Sequence, residues 1–299
     1  MVNLAQKRQL RSVVRPSTLP VISRVQGVDY SGAAESGKTA WLATLAPDGP
    51  LLDLQALKPL GKLAASATRD RVNQFLRDRI LASRQTLWGI DFPFGLPVEL
   101  KIGTWRDQLA HVCRHVGDAK SYGRSLVDLA RKVTGQLHIR RQTDLETKTP
   151  FDCYHYRIIY QTFHGMRDVL EPISTDPRTA VLPFDYDRAR ASKDTDRLVV
   201  EACPSSFLKR NGLPHQRYKQ SGGKEPTEAH RQTRREILRA IRGRVRISAY
   251  RRRVILSDSG GDALDAVLAG LGAWEAIRRV NHEQIAADQR YSQEGYVYC

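Results

Sequence analysis

Three short, largely apolar stretches of this chain each end in an acidic residue: 25–29, 87–91 and 198–201. Apolar runs of this length, bounded by turn-forming residues, are typical of buried β-strands. Asp and Glu are disfavoured inside such strands, so their repeated presence at strand ends is informative. In an α/β sheet, strand ends converge on a shared crevice. The pattern therefore favours a fold in which several strands deliver acids to one edge of a sheet.

The order of the predicted elements indicates an α/β fold. Segments 25–30, 39–45 and 51–57 are predicted strands joined by turns, which makes a three-strand meander. The elements that follow are a helix over 68–83, a strand over 87–91, a mostly helical stretch over about 100–195, a strand over 198–201, helices over 227–242 and 262–280, and a strand-like end over 295–298. A meander followed by alternating helices and strands is the element order of the RNase H fold.

The domain organisation follows from the same pattern. We expect one RNase H-like domain over 25–299, with a mixed sheet and a helical insertion at about 100–195. Residues 1–24 contain basic side chains and no acid, and Pro16 and Pro20 discourage a helix there. This segment is predicted to be a basic N-terminal arm.

An acidic pair opens the last long predicted helix. Asp262 and Asp265 are three residues apart and so lie on one face of a helix. Several carboxylates in one crevice repel each other unless a cation lies among them. Oxygen-only ligands suit Mg²⁺ or Mn²⁺. The sequence therefore predicts a magnesium or manganese site built from Asp29, Asp91, Glu201, Asp262 and Asp265.

Each of these acids also has a purely structural interpretation. Asp29 and Asp91 stand where Asp commonly forms turns. Asp262 is a candidate N-cap, with Asp265 complementing the helix dipole. Glu201 fits no such role, because Glu is disfavoured directly after three apolar strand residues. The recurrence of acids at successive element ends favours the metal site over these separate explanations.

The chain is strongly basic. It has 48 Lys and Arg against 32 Asp and Glu among 299 residues, a net charge of +16. Within 231–253 there are ten arginines and one acid, Glu236. On the helix predicted there, one side carries the arginine ridge, defined as Arg231, Arg235, Arg239 and Arg242. Since Arg pairs bidentately with phosphate, the ridge is predicted to bind a nucleic-acid backbone. The alternative is a solvated basic surface.

Five short motifs stand in order along the chain: GVD (27–29), WGIDFP (88–93), VEACP (200–204), YK (218–219) and DALDA (262–266). They resemble, in that order, the motifs of domain-of-unknown-function family 429, a family of predicted RNase H-like nucleases, over about 25–299. The resemblance implies that Asp29 binds both metals of a two-metal site, with Asp91, Asp262 and Asp265 as further ligands. It leaves open whether Glu201 contacts a metal.

The YK motif carries one further implication of the resemblance. Lys219 is expected to approach a substrate phosphate near the metal site. The alternative is an ordinary surface lysine. Nothing is carried over from the family to the long middle stretch of the chain.

A competing motif occurs at residues 32–39, GAAESGKT, which match the P-loop pattern G-x-x-x-x-G-K-[ST]. A P-loop must open a helix whose N-terminus holds the phosphate. Segment 39–45 is instead rich in β-branched and bulky residues, and it stops before Pro47. We therefore expect a hairpin turn with Lys38 exposed.

Residues 154–164 interleave aromatic side chains with polar groups that suit nucleobases. One interpretation is a stacking platform for unpaired bases. The other is a helix that buries Tyr156, Ile159, Tyr160 and Phe163, which have the spacing of one helix face. The periodicity favours the buried helix.

The leading hypothesis is a metal-dependent nuclease that hydrolyses DNA or RNA, with Asp29 bridging two Mg²⁺ or Mn²⁺ ions and a metal-bound water as the nucleophile. No organic cofactor is expected. The alternative is a non-catalytic nucleic-acid-binding or assembly subunit on the same fold. A P-loop or actin-like ATPase is the third hypothesis. The presence of every expected acid favours the enzyme.

Composition also excludes some classes of protein. No window of about 18 apolar residues exists, so no membrane span is predicted. No apolar segment follows the N-terminal basic residues, as a secretory signal would require. The four cysteines are far apart and have no metal-type spacing, as expected in a reducing compartment. We therefore expect a cytoplasmic protein.

Overall fold

A computed structural model describes residues 19–220 and 224–299. Within them, seven strands form one mixed sheet in the order β5-β6-β4-β1-β2-β3-β7. The strands are β1 (Arg24–Asp29), β2 (Trp41–Asp48), β3 (Leu51–Pro59), β4 (Thr86–Ile90), β5 (Thr179–Leu182), β6 (Arg197–Glu201) and β7 (Val245–Arg246). Most of the predicted basic arm lies outside the described residues. The described part of the chain contacts the sheet just before β1 begins. The Ser23 N–H donates to the carbonyl of Gln85, the residue before β4, at 2.8 Å.

The pairing of the strands divides the sheet into two halves. β1, β2 and β3 form an antiparallel meander. β4 lies parallel to β1 on its other side, β6 parallel to β4, and β5 parallel to β6. β7 adds a short parallel pair to the outer edge of β3. The predicted α/β class and the mixed sheet are confirmed.

Helices cover both faces of the sheet. Within the described residues they are α1 (Leu60–Leu63), α2 (Arg69–Ala82), α3 (Trp105–Arg114), α4 (Ala119–Thr134), α5 (Gln142–Thr147), α6 (Ile159–His164), α7 (Glu171–Ser174), α8 (Tyr186–Ala191), α9 (Pro204–Arg210), α10 (Glu228–Ala240), α11 (Ala249–Ser257), α12 (Asp262–Arg279), α13 (His282–Ala287) and α14 (Tyr291–Glu294). A π-helical turn, Gly165–Leu170, links α6 to α7. In the part of the chain that the structure describes, no helix has both the length and the apolar character to cross a membrane.

The hydrophobic core has one layer on each face of the sheet. Side chains alternate between the faces along a strand, so β6 sends Leu198 and Val200 into one layer and Val199 into the other. The first layer packs α9, α10 and α12 against the sheet. The second contains α2, α3, α4 and α6. Burial on both faces explains why the strands are so uniformly apolar up to their last residue.

Two strand glycines allow α12 to lie unusually close to the sheet. A Cβ at Gly27 of β1 would lie 2.0 Å from the Ala266 carbonyl oxygen, and one at Gly89 of β4 would lie 2.6 Å from the Ala273 Cβ. Any larger residue at either position would push the helix outward. The close packing fixes the first turn of α12 next to the ends of β1 and β4.

Several predicted elements differ from the structure. β5 lies inside the predicted helical insertion. The sequence does not predict this strand, because a four-residue apolar run is too short to show the period of a strand. The predicted strand over 295–298 is reduced to a single bridge between Val297 and Glu201. The helix predicted over 227–242 ends at Ala240, so Arg242 lies beyond it.

The aromatic stretch also departs from the favoured interpretation. Ile159 and Phe163 are buried as predicted, but α6 begins only at Ile159. Tyr156 precedes the helix and is 70% exposed, and Tyr160 is 39% exposed. The predicted burial of both tyrosines is therefore wrong. The helical period does not extend back to Tyr156, whereas Tyr160 lies within α6 on its exposed side.

The segment with the P-loop pattern forms no phosphate-binding loop. Ser36–Lys38 is a single 3₁₀ turn, and β2 follows it. Lys38 pairs with Glu35 at 2.7 Å on the surface. Because no helix begins there, no helix N-terminus is available to hold a phosphate.

Candidate metal centre

Three carboxylates meet at the ends of β1 and β4. Asp29 is the last residue of β1, Asp91 directly follows β4, and Asp265 lies in the first turn of α12. One ligand atom from each of the three lies within 4.8 Å of those of the other two. Asp29 and Asp265 are buried and Asp91 is partly exposed. We call these three residues the Asp triad. The predicted convergence of Asp29 and Asp91 with an acid of the last helix is confirmed.

Strand register places Asp29 beside Asp91. Val28 of β1 is paired with Ile90 of β4. The Asp91 N–H donates to the Val28 carbonyl at 3.0 Å, which extends the parallel pairing by one residue. The two carboxylates therefore leave adjacent strands at the same edge of the sheet, as the apolar runs before them predict.

Asp265 is held by the loop that precedes α10. The Tyr218 hydroxyl donates to Asp265 Oδ1 at 3.0 Å. The Lys219 ammonium pairs with Asp265 Oδ2. Tyr218 is buried, whereas Lys219 is partly exposed to the cleft. The YK motif therefore contacts the Asp triad itself, and each oxygen of Asp265 keeps a further lone pair.

Burial and mutual repulsion disfavour the charged forms of Asp29 and Asp91. Burial raises the pKa of Asp29 well above its usual range, and the neighbouring Asp262 raises it further. Burial, followed by repulsion from Asp265, raises the pKa of Asp91 to about 8. Lys219 opposes both shifts without cancelling them. A cation bound among these carboxylates would offset both shifts, because it favours the charged form of each carboxylate.

The same carboxylates also affect the pKa of Lys219, and they favour its charged form. Burial alone would lower the pKa of its ammonium, but Asp265 and Asp29 outweigh burial and raise it well above the usual range. Lys219 is therefore charged at neutral pH. It supplies one positive charge against the carboxylates around it.

Asp262 lies at the start of α12, beside the Asp triad but not part of it. The N-cap position of α12 is Gly261, with φ of +80°, so Asp262 is not the N-cap. The Ala263 N–H instead donates to Asp258 Oδ2 at 3.1 Å. Burial raises the pKa of Asp262 to about 7, with Lys219 opposing and Asp258 adding to the shift.

Glu201 faces a buried arginine and not the Asp triad. Its Oε2 and Oε1 accept from Arg141 Nη1 and Nη2 at 2.8 and 2.6 Å. Oε2 also accepts from the Phe94 N–H at 2.8 Å. Arg141 pairs at the same time with Asp144, and all three side chains are buried. This arrangement makes Glu201 an anchor of the cleft wall, with both oxygens already occupied.

The sequence analysis did not identify Arg141 and Asp144. A Glu at the end of an apolar strand indicates that some cation must pair with it. Which cation does so is set by tertiary structure, since Arg141 lies 60 residues before Glu201.

A cleft of about 660 Å³ opens above the Asp triad. The three carboxylates lie on one side of it, and the cationic side chains of Arg157, Arg217 and Lys219 also line it. Arg157 and Arg217 are exposed. An anion entering the cleft would therefore meet positive charge at its mouth and carboxylates at its base.

The arginine ridge lies outside this cleft, and its four members differ from one another. Arg231 approaches Glu225 at 3.7 Å, and Arg235 pairs with Glu228. Arg239 and Arg242 are exposed, and neither has an ion-pair partner among the described residues. Only the last two therefore present an uncompensated charge to solvent.

Arg234, next to the ridge, has a structural role that sequence reasoning missed. It is fully buried on α10. Its guanidinium donates to the carbonyls of Tyr218 and Ile255 at 2.7 and 3.0 Å. It therefore connects α10 to the loop that carries Tyr218 and Lys219. In the sequence it is one arginine among ten, and no spacing distinguishes it from its neighbours.

Comparison of the chain with protein-family models, with curated proteins and with solved structures gives no match. The donor set of the Asp triad fits a hard divalent cation, because it consists of carboxylate oxygens alone. Lys219 opposes the raised pKa values of Asp29 and Asp91 without cancelling them, so a further cation would favour their charged forms. The residues present therefore suit Mg²⁺ or Mn²⁺.

Proposed function

We propose that this protein is a metal-dependent nuclease, which hydrolyses phosphodiester bonds of DNA or RNA on an RNase H-like domain. The observation that carries the proposal is the Asp triad, whose three ligand atoms lie within 4.8 Å of one another at the ends of adjacent parallel strands. Buried carboxylates at this separation repel one another. A divalent cation is the partner that best offsets this repulsion.

The sheet supports an RNase H-like assignment. From β3 through β2, β1 and β4 to β6, an antiparallel meander is followed by two parallel strands. This is the arrangement expected from the element order in the sequence. β5 and β7 extend the two edges and leave the central order unchanged.

Each residue of the site would have its own role in hydrolysis. Asp29, Asp91 and Asp265 would hold Mg²⁺ or Mn²⁺, which would supply activation of water and stabilisation of the leaving oxygen. Tyr218 orients Asp265 through its hydroxyl. Lys219 adds a positive charge at the place where a phosphate would approach the carboxylates.

The charge of the whole chain supports a polyanionic substrate. The net charge of +16 attracts phosphates at long range. Arg239 and Arg242 are exposed and unpaired within the described residues, so they are available to the nucleic-acid backbone. Contacts of this kind position a nucleic acid without reading its sequence.

A second candidate function is a nucleic-acid-binding subunit without turnover. The observation that favours it is the ion pair between Lys219 and Asp265, which supplies the Asp triad with an internal cation. One ammonium does not balance the remaining carboxylates, since the pKa values of Asp29 and Asp91 stay raised beside it. Because these two carboxylates would still be stabilised in their charged forms by a further cation, the nuclease is the better-supported function.

The deciding experiment is a cleavage assay with the full chain. Labelled single-stranded, duplex and hybrid substrates are incubated with Mg²⁺ or Mn²⁺, using the wild type, Asp29→Asn and Asp78→Asn. Asp78 is the matched control, because it is 63% exposed on α2 and away from the cleft. We expect Asp29→Asn to abolish cleavage and Asp78→Asn to retain it. A wild type that cuts no substrate in either metal would favour the binding subunit.

A further inference from the structure

A group of partly or fully exposed aromatic side chains extends outward from the cleft wall at Phe151, and the proposed chemistry does not use it. Phe151 and Arg157 line the cleft together with the Asp triad. The rings of Phe151 and His155 stack with centroids 4.6 Å apart, and those of His155 and Tyr156 are 4.4 Å apart. We call these four residues, Phe151, His155, Tyr156 and Arg157, the aromatic platform.

Arg157 contacts two rings of the platform and is its charged residue. Its guanidinium lies 5.6 Å from the centroid of the Phe151 ring and 5.7 Å from that of Tyr156. Its Nε donates to the Tyr156 hydroxyl at 3.1 Å. No carboxylate pairs with Arg157 among the described residues. Its positive charge is therefore free for an anion that reaches the rings.

Core packing does not account for the platform. Tyr156 is 70% exposed, and it lies before the first residue of α6. Single exposed aromatic residues are common on protein surfaces and need no explanation. Here, however, Phe151 and the unpaired Arg157 line a cleft with buried carboxylates, and the rings of His155 and Tyr156 continue outward from Phe151. Rings beside a cationic groove are the arrangement by which proteins bind unpaired bases.

We propose that the aromatic platform stacks the unpaired bases of a single-stranded nucleic acid, so that single strands are the substrate class of this site. This inference rests on the proposed nuclease function. In a duplex the faces of the bases are already stacked on one another, so no base face is free to stack on the rings of the platform. Asp29 and Asp265 are also buried at the base of the cleft. A flexible single strand can enter such a cleft more easily than a stiff duplex.

The test measures binding without metal, so that it does not depend on cleavage. Fluorescence anisotropy in EDTA compares labelled oligothymidylate, oligouridylate and a duplex of equal length. The proteins are the full-length wild type, Tyr156→Ala, Tyr156→Trp, Arg157→Gln and Tyr250→Ala. Tyr250 is the matched control, because it is 67% exposed on α11 and, in contrast to Tyr156, does not contact the cleft-lining Arg157. Melting curves check that each variant is folded.

We expect Tyr156→Ala to weaken single-strand binding about tenfold, as the loss of one stacked base would. Tyr156→Trp should retain binding, and Tyr250→Ala should leave it unchanged. The salt dependence should not change in Tyr156→Ala, because no charge is lost. In Arg157→Gln, the logarithmic salt slope for single strands should fall by about 0.7.

The proposal is overturned if Tyr156→Ala binds single strands as the wild type does, or if the variant weakens duplex and single-strand binding equally. Its failure is distinguishable from failure of the nuclease assignment. A protein that binds single strands through Tyr156 but cuts nothing supports the platform and contradicts the nuclease. A protein that cuts duplexes, with or without Tyr156, supports the nuclease and contradicts the platform.

Discussion

Asp29 and Asp91 stand side by side at the ends of two adjacent parallel strands, and each has a carboxylate oxygen within 4.8 Å of the other's. Both carry a pKa raised by burial, and that of Asp91 reaches about 8. A folded chain without metal therefore holds protons at this site that an unfolded chain has released. This relationship makes the stability of the protein depend on pH and on metal.

The first prediction concerns the pH dependence of stability without metal. The pKa of Asp91 rises from 3.8 to about 8 on folding, so the folded state binds the extra proton between these values. Raising the pH from 6 to 8 should therefore lower the free energy of unfolding, by at most about 1.4 kcal/mol per pH unit from this group. Urea titrations of the wild type and Asp91→Asn in EDTA check the prediction.

The difference between these two proteins reports Asp91 together with its effect on Asp29, whose pKa the charge of Asp91 helps to raise. In Asp91→Asn the free energy of unfolding should decrease much less between pH 6 and 8. Added Mg²⁺ should also remove this decrease from the wild type, because the cation favours the deprotonated carboxylates. Parallel pH profiles for the two proteins would contradict the raised pKa.

The second prediction separates the two acids of α12. Asp265 belongs to the Asp triad, whereas Asp262 lies beside it. Asp265→Asn should weaken Mn²⁺ binding about tenfold or more, because loss of a supporting partner alone has an effect of that size. Asp262→Asn should weaken it less. Calorimetric titration with Mn²⁺ measures both affinities, and a larger loss in Asp262→Asn would reverse the assignment.

The third prediction concerns the buried pair of Arg141 and Glu201. Arg141→Met leaves Glu201 and Asp144 buried without their cation, which should cost about 3–5 kcal/mol of stability. Adding Glu201→Gln should recover part of this loss, because one uncompensated charge is removed. Urea unfolding of the single and double variants measures the effect. A double variant no more stable than Arg141→Met would show that Glu201 does not depend on this arginine.

The fourth prediction distinguishes two pairs of residues within the arginine ridge. Arg239 and Arg242 are exposed, whereas Arg231 and Arg235 already face glutamates. Replacing Arg239 and Arg242 with Gln should reduce the logarithmic salt slope of duplex binding by about 0.9 for each lost phosphate contact. The matched double variant of Arg231 and Arg235 should change it less. Equal slopes for the wild type and the first double variant would make the ridge a solvated surface.

Much of the candidate site can be predicted from the sequence, because local rules govern it. Asp29 and Asp91 each end an apolar run, and parallel neighbours end at the same edge of a sheet. The spacing of Asp262 and Asp265 places both on one helix face but does not decide which of them turns inward. That choice depends on how α12 packs against Gly27 and on the resulting rotation of the helix.

The remaining features depend on contacts that are distant in sequence. Glu201 was predicted as a metal ligand because its position resembles that of Asp29 and Asp91. Its actual partner, Arg141, comes from another part of the chain. Tyr156 has the spacing of a buried helical residue, but α6 starts three residues after it. Periodicity describes a face only where the helix exists, and the sequence did not show where α6 begins.

The central claim is that Asp29, Asp91 and Asp265 hold a divalent cation. Anomalous diffraction from a crystal grown with Mn²⁺ tests it most directly, because manganese is located without assumptions about the reaction. We predict an anomalous peak within coordination distance of all three carboxylates in the wild type, and none there in Asp29→Asn. A wild-type map without a peak at the Asp triad, with Lys219 still paired to Asp265, would contradict the account.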